Sequence, residues 1–280
     1  MPNPGWCVCC QRETSWKVQT RLPAALFGKQ AQILRCCECG LGRTLPAPET
    51  GGRYYDDNPH YDEQFSSQRI LYHKFAKDLL STLDHLIKPD GKHLLDIGCG
   101  GGFLVEAAQA MNFEAEGIEA NKNMVTWCVE RGLQVRQGDV TTLKRSNKRY
   151  DVIVLSAILE HVPEPEQLLR DCKQLLSPAG VMLIAQASYD GLLPKVFPWG
   201  WYGWQPKEHF WHFTPDSFAK LASQAGLNSV TTLRNSLYHP WFRKGGLKVL
   251  VGRNAAAVLA RLGLLLGKGD AFNMVLAPAA

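Results

Sequence analysis

Residues 94–102 read Leu94-Leu95-Asp96-Ile97-Gly98-Cys99-Gly100-Gly101-Gly102, and this stretch decides the fold. An apolar run with an acidic residue near its end passes into a loop with glycine at 98, 100 and 102, and a helical period begins directly after it. Glycine at such positions lets backbone approach a ligand where a Cβ would clash. The spacing is G-x-G-x-G. It is not the dinucleotide pattern G-x-G-x-x-G, because Phe103 stands where the last glycine would fall.

Working outward, short apolar strands alternate with helices. Strands are predicted over 93–97, 114–119, 134–137, 150–155 and 181–187, and helices over 102–111, 122–131 and 165–176, the last stopped by Ser177-Pro178-Ala179-Gly180. Upstream, 66–87 has the spacing of an amphipathic helix with Ile70, Phe75, Leu79, Leu80, Leu83 and Leu86 on its apolar side, ended by Pro89-Asp90-Gly91. Thr214-Pro215 opens a helix over 216–225, and strands near 229–233 and 272–276 complete the set. This alternation predicts an α/β, doubly wound, mainly parallel seven-stranded sheet with ligands at the carboxyl ends of its strands. Glu119 falls at the end of the second strand, where a carboxylate accepts both ribose hydroxyls and repels a 2′-phosphate. Asp139 follows the third and can take an adenine amino group. Glycines and carboxylates in this order are far more specific than the loop alone.

The chain of 280 residues carries a formal charge of +5, unevenly spread. Residues 1–53 hold +4, 54–233 hold −5 and 234–280 hold +6, so both ends are basic around an acidic middle. Collagen-like, coiled-coil and disordered classes are excluded by composition. Six of the nine cysteines fall at 7, 9, 10, 36, 37 and 39. No apolar stretch follows the amino terminus, so no secretory signal is expected and a reducing, cytoplasmic setting is, in which clustered cysteines more often bind metal than pair. The longest apolar run, 255–266, is interrupted by Arg261 and is far short of the roughly 20 residues a membrane span needs.

From about residue 66 to 233 the sequence resembles class I S-adenosylmethionine-dependent methyltransferases of the Methyltransf_23-like branch, a Rossmann-like fold. The motifs that carry the resemblance are Asp96 to Gly102, Gly117-Ile118-Glu119, Gly138-Asp139, and the run Tyr150 to Val162 that contains Leu159-Glu160-His161. The resemblance implies that Asp96 with Gly98, Cys99, Gly100 and Gly102 holds the methionine part of the cofactor. It places Glu119 and Ala120 at the ribose, Asp139 and Val140 at the adenine edge, and Ser156 and Ala157 beneath the sulfonium. The alternative is an unrelated α/β fold whose turn glycines and strand-end carboxylates bind nothing.

Methyl transfer from a sulfonium is an in-line displacement that needs alignment and exclusion of water, with no obligatory side chain. For a hydroxyl acceptor a general base helps, and His161 is the leading candidate because it follows the fourth strand beside the expected sulfonium. The resemblance extends to quinone and small-molecule O-methyltransferases, in which a histidine here lies near the donor. The competing reading is a histidine that caps a helix or bonds its loop. Residues 197–213 hold four of the eight tryptophans and suit a lid over an apolar or sugar-like acceptor, with His209 and His212 as second catalytic candidates. The same run can instead pack over the sheet end. No carboxylate spacing supports a metal site built on His161, His209 and His212.

Cys7-x-x-Cys10 and Cys36-x-x-Cys39 are two knuckles that together complete a tetrahedral shell for a structural Zn²⁺, giving a small zinc ribbon over residues 1–50. Either Cys9 or Cys37 can substitute at one knuckle, and buried or redox-active thiols are the alternative. The methyltransferase domain is then 51–280, with a basic helical insert over 236–268 whose segment 243–268 either touches membrane peripherally or covers the site or a partner. The sequence therefore points to a methyltransferase acting on a small-molecule, sugar or lipid-linked acceptor, at oxygen. An RNA methyltransferase using the ribbon and basic ends on phosphates is the first alternative, disfavoured by the acidic middle. A non-catalytic S-adenosylmethionine-binding protein is the second.

Overall fold

A computed structural model describes residues 5–48, 69–143, 148–236 and 247–279. The amino-terminal part is a hairpin of β1 (Trp6–Cys7) and β2 (Arg12–Glu13), then β3 (Trp16–Leu22), the short α1 (Ala24–Phe27), β4 (Ala31–Cys36) and β5 (Gly42–Leu45). The larger part begins with α2 (Arg69–Leu80) and a 3-10 turn, Ser81–Leu83. It continues through β6 (His93–Ile97), α3 (Phe103–Ala110), β7 (Glu114–Glu119), α4 (Lys122–Glu130), β8 (Val135–Gln137), α5 (Val140–Leu143) and β9 (Tyr150–Ser156). After a 3-10 turn at Leu159–His161 come α6 (Pro165–Leu175), β10 (Leu176–Ala187), α7 (Leu192–Val196), β11 (Trp211–His212), α8 (Pro215–Gln224), β12 (Leu227–Asn235), α9 (Leu247–Leu265) and β13 (Ala271–Pro278).

Seven strands form one sheet in the order β12-β13-β10-β9-β6-β7-β8. Pairs among β10, β9, β6, β7 and β8 are parallel, and β13 runs antiparallel between β10 and β12. The central strands are apolar on both faces, as parallel strands covered by helices must be. On β9, Val152 and Val154 face the side packed by Leu79, Leu83 and Leu104, whereas Ile153 and Leu155 face the side packed by Leu169, Phe213 and Phe218. The chain leaves β6 toward β7 and β8 on one side and returns to β9 and β10 on the other. Strand order thus reverses between β6 and β9, the position at which open α/β sheets bind ligands.

Several local expectations change. Residues 177–180 do not end a helix in a free turn: β10 starts at Leu176 and pairs with β9 through an irregular register, with Gly180 packed close to the Tyr150 carbonyl. The helix expected over 66–87 is described from Arg69, ends at Leu80 and buries Ala76, Leu79 and Leu80, while Ile70 and Leu86 face outward. Residues 49–52 of the expected linker and Arg243 and Lys244 of the basic insert lie outside the described residues. On α9, Ala256 and Ala260 are buried, and Val258, Leu262 and Leu265 are exposed. Among the described residues, no helix is long and apolar enough to cross a membrane.

The Trp-rich segment differs most from a free lid. Its strand β11 pairs antiparallel with β5, so the amino-terminal sheet has the order β11-β5-β4-β3 and takes its fourth strand from the far half of the chain. Trp201, Trp204 and Trp211 are buried, and Trp201 and Trp204 share an apolar cluster with Leu22, Ile33 and Tyr189. Ring edges meet faces at 4.6 Å between Trp201 and Trp204 and at 4.8 Å between Trp204 and His212. These aromatic groups form a seam between ribbon and sheet.

Candidate active site

The glycine loop lies at the carboxyl end of β6. Gly98, Gly100 and Gly102 all adopt positive φ, of 67°, 49° and 71°, a region costly for any residue with a Cβ. Gly102 is also the N-cap of α3. The loop is held from several sides. The Gly100 amide donates to Glu119 Oε2 at 2.9 Å, Cys128 Sγ approaches the Gly100 carbonyl at 3.3 Å, and Arg131 Nη1 donates to the Gly101 carbonyl at 2.6 Å. Arg131 in turn lies over Trp127, 4.2 Å from the ring centre, so it reaches the loop already braced. A Cβ on Gly117 of β7 would fall 2.6 Å from Cys99 Sγ, which shows how closely the loop crosses that strand.

Asp96 and Glu119 face this loop with different electrostatics. Asp96 is buried and its carboxyl is pushed up to about 8, first by loss of water and then by the neighbouring Glu119 charge. Its carboxyl has no hydrogen-bond partner among the described residues, a setting that invites a cation. Half-buried Glu119 holds the Gly100 and Asn121 amides, one with each oxygen, and each oxygen keeps acceptor capacity for a hydroxyl. Asp139 is exposed, and its Oδ1 accepts from the Thr141 and Thr142 amides at the start of α5. The Thr141 hydroxyl donates to the same oxygen and lowers its pKa most, with those amide bonds adding to it; Val140 beside it is buried and Ala120 is exposed.

At the end of β9, Ser156 is half-buried and Ala157 adopts φ 54°, a strained conformation for alanine, fixed by a bond from its amide to the Ala185 carbonyl. The chain then turns through Leu159–His161. His161 meets His209 edge to face with ring centres 4.5 Å apart. Both are neutral: burial lowers His161 to about 4, and burial with two neighbouring histidines takes His209 well down. His209 Nδ1 lies 3.0 Å from the Gly203 carbonyl and must donate to it, which leaves Nε2 with its lone pair. Glu160 carries no signal in the sequence, yet the fold brings its carboxylate to His161 and His209, with the three potential ligand atoms mutually within 4.8 Å. His212, by contrast, turns away to the ribbon. Its Nε2 lies 2.9 Å from Thr44 Oγ1, whose hydroxyl donates to the His209 carbonyl, so His212 is the donor of that pair. Helix α8 is capped by Thr214 in a capping box with Ser217.

The four thiols of Cys7, Cys10, Cys36 and Cys39 converge within 4.8 Å of one another. A tetrahedral zinc ion about 2.3 Å from each sulfur sets sulfurs roughly 3.8 Å apart. The Cys7–Cys39 and Cys10–Cys36 sulfurs are 3.5 and 4.0 Å apart, on either side of that value. Cys37 is exposed and Cys9 is buried, its thiol pushed up by contact with the Cys39 and Cys7 sulfurs, so it stays protonated beside them. Lys220 of α8 reaches Cys10 Sγ at 3.3 Å, placing a positive charge against the cluster. Thr44 and Lys220, which join the ribbon to the larger part, carry no sequence signal of their own; each acts only through partners far along the chain.

A sheet with this strand order, an antiparallel seventh strand and a glycine loop facing two carboxylates at the reversal point is that of a class I S-adenosylmethionine-dependent methyltransferase. Residues 67–232 match the Methyltransf_23 family, a methyltransferase domain, and the chain belongs to that family. The ubiquinone biosynthesis O-methyltransferase of Cereibacter sphaeroides is 31% identical over 172 residues, covering 56% of this chain and 67% of the relative. That of Dinoroseobacter shibae is 34% identical over 155 residues, covering 50% and 61%. The chain thus spans about two thirds of the length of these relatives. Among solved structures, the complex of the Haloferax volcanii Trm112 methyltransferase activator with its putative methyltransferase aligns with TM-score 0.60 at 14% identity, covering 78% of this chain and 95% of the other, a likeness of fold.

Proposed function

We propose that the protein methylates a hydroxyl oxygen of a small molecule, sugar or lipid-linked ring that carries little negative charge. The observation that carries this reading is the sequence likeness, at 31 and 34% identity, to proteins named as O-methyltransferases. The acidic middle of the chain supports a weakly charged acceptor.

Bound S-adenosylmethionine would supply an electrophilic methyl group. The residues present fit it. Asp96, with its buried carboxyl, would take the ammonium of the methionine part in the cradle of Gly98, Cys99, Gly100 and Gly102. Glu119 with Ala120 would take the ribose, Asp139 and Val140 the adenine edge, and strained Ala157 with Ser156 would line the space under the sulfonium. His161 is neutral and lies just beyond them, where it can take an acceptor's proton. His209 backs His161, and His212 fixes the segment that carries His209. Zinc on Cys7, Cys10, Cys36 and Cys39 would hold the ribbon, and through β5 and β11 the wall on the acceptor side.

Labelled cofactor incubated with cell extract and the purified protein, followed by separation of lipid, nucleic-acid and small-molecule fractions, tests the reading. Label is expected in the lipid or small-molecule fraction as a methyl ether. Label confined to RNA would replace this reading with a nucleic-acid one.

A further inference from the structure

We propose that Glu160, His161 and His209 form a second metal site, for a divalent first-row ion such as zinc or iron(II), on the acceptor side of the methyltransferase sheet. The inference rests on the methyl-transfer reading only for what the site would serve, not for its existence. Two imidazoles and one carboxylate are a ligand set for such ions, and three protein ligands leave positions open for water or an acceptor oxygen.

The surroundings are those of metal ligands more than of isolated buried groups. Glu160 is 2% exposed, and its Oε2 is a buried oxygen without a hydrogen-bond partner, while Gln186 of β10 bonds the carboxyl from the other side. A buried carboxylate oxygen left orphaned is costly, and a cation removes that cost. His209 donates Nδ1–H to the Gly203 carbonyl, and His161 hydrogen-bonds the Glu208 backbone. A hydrogen bond from one ring nitrogen fixes a ligating imidazole's tautomer and aims its other nitrogen. The backbone also clamps the triad, since the Phe210 amide donates to the Glu160 carbonyl at 2.8 Å and ties the two ligand-bearing segments together. Ligand atoms about 2.0–2.2 Å from a shared ion lie roughly 3.0–3.6 Å apart, and the three atoms here, all within 4.8 Å of one another, are near that separation.

An ion here would follow Ser156 and Ala157 directly and would lower the pKa of a hydroxyl bound to it, the proton leaving to water. His161 would then be a ligand, and activation of the acceptor would pass from a base to the ion.

The whole protein, loaded with one equivalent of zinc, is titrated with Co²⁺ and read by visible absorption. One further equivalent is expected, with the weak d–d bands of nitrogen and oxygen ligation and without thiolate-to-cobalt charge transfer. Glu160→Gln and His209→Gln should each weaken that binding at least about tenfold, with S-adenosylmethionine binding by calorimetry showing that each variant is folded. Wild type that takes no second equivalent overturns the proposal whatever the variants do. So does Co²⁺ that binds only with thiolate charge transfer, or equally tightly in both variants. Because methyl acceptance plays no part in this readout, its failure leaves the O-methylation reading standing, and His161 returns to the role of base.

Discussion

The glycine-loop half of the molecule and the ribbon seam are held together in opposite ways. Around β6 the decisive bonds join residues 19, 28 and 30 positions apart: Glu119 to Gly100, Cys128 to Gly100, and Arg131 to Gly101. Across the seam they span 149 to 210 positions, as in Tyr189 to Gly40, Thr44 to His209 and His212, and Lys220 to Cys10. One half is completed by a single strand-turn-helix unit and its neighbour. The other exists only once the two ends of the chain have met. The cofactor half should therefore survive damage to the ribbon, whereas the acceptor side should not.

The most severe test of that separation is Cys36→Ser. A structural zinc in a small module supplies apparent free energies of about 10–16 kcal/mol at neutral pH, and a ribbon with so small a core has little to replace it. Losing the proposed zinc should melt β3 to β5, release β11 and misplace the walls around His209. Methyl transfer is expected to fall by about a hundredfold or more, while cofactor affinity measured by calorimetry stays close to wild type. Loss of both together would show that the halves form one cooperative unit.

Glu119→Ala is the converse. It removes both the proposed acceptor for the ribose and the carboxylate that holds the Gly100 and Asn121 amides. Charge-assisted bonds of this kind are worth about 1.5–3 kcal/mol, so cofactor binding should weaken roughly ten- to hundredfold. Zinc content, measured by atomic emission, should not change.

The same division decides what the sequence makes legible. Strands β6 to β10 and their helices announce themselves because each satisfies its own period locally, and Gly98, Gly100 and Gly102 are required by the positive φ of their own turn. The four cysteines are readable because thiolate spacing is local chemistry. Strands β3 to β5 are obscure: on β3, Val18 is exposed among Lys17, Gln19 and Arg21, so no clean alternation survives. The tryptophans suggest a lid because nothing near them reveals that their strand pairs with Gly42 and Arg43. Glu160 is silent for a related reason. A single glutamate before a histidine has no ligand spacing until the segment carrying His209 folds against it.

Thr44→Val probes the seam without touching the four cysteines. The hydroxyl serves two buried partners, the His209 carbonyl and the His212 ring. Valine keeps the shape and strands both, at a cost of about 1–3 kcal/mol. The urea midpoint should fall accordingly, and Thr44→Ser should restore it. Cofactor affinity is expected to be untouched, whereas an equal loss there would join the two halves.

The smallest effect belongs to Asp96 and separates the halves by pH. Its carboxyl stands at about 8 in the folded chain against 3.8 for the free group, raised by burial first and by Glu119 second. A group raised on folding favours the folded state below the unfolded value, and that contribution is lost as pH climbs through the folded one. The ligand-free protein should thus lose thermal stability between about pH 4 and pH 8 from this residue, and Asp96→Asn should flatten that part of the profile. A ligand ammonium stabilises the carboxylate, so cofactor binding below about pH 8 should release a fraction of a proton, and less above it. Calorimetry in buffers of different ionisation enthalpy measures the number released. The release should persist in Cys36→Ser, where Asp96 keeps its surroundings, and vanish in Asp96→Asn. Release that survives Asp96→Asn would place the linked proton on another group and remove Asp96 as the residue that takes the ammonium.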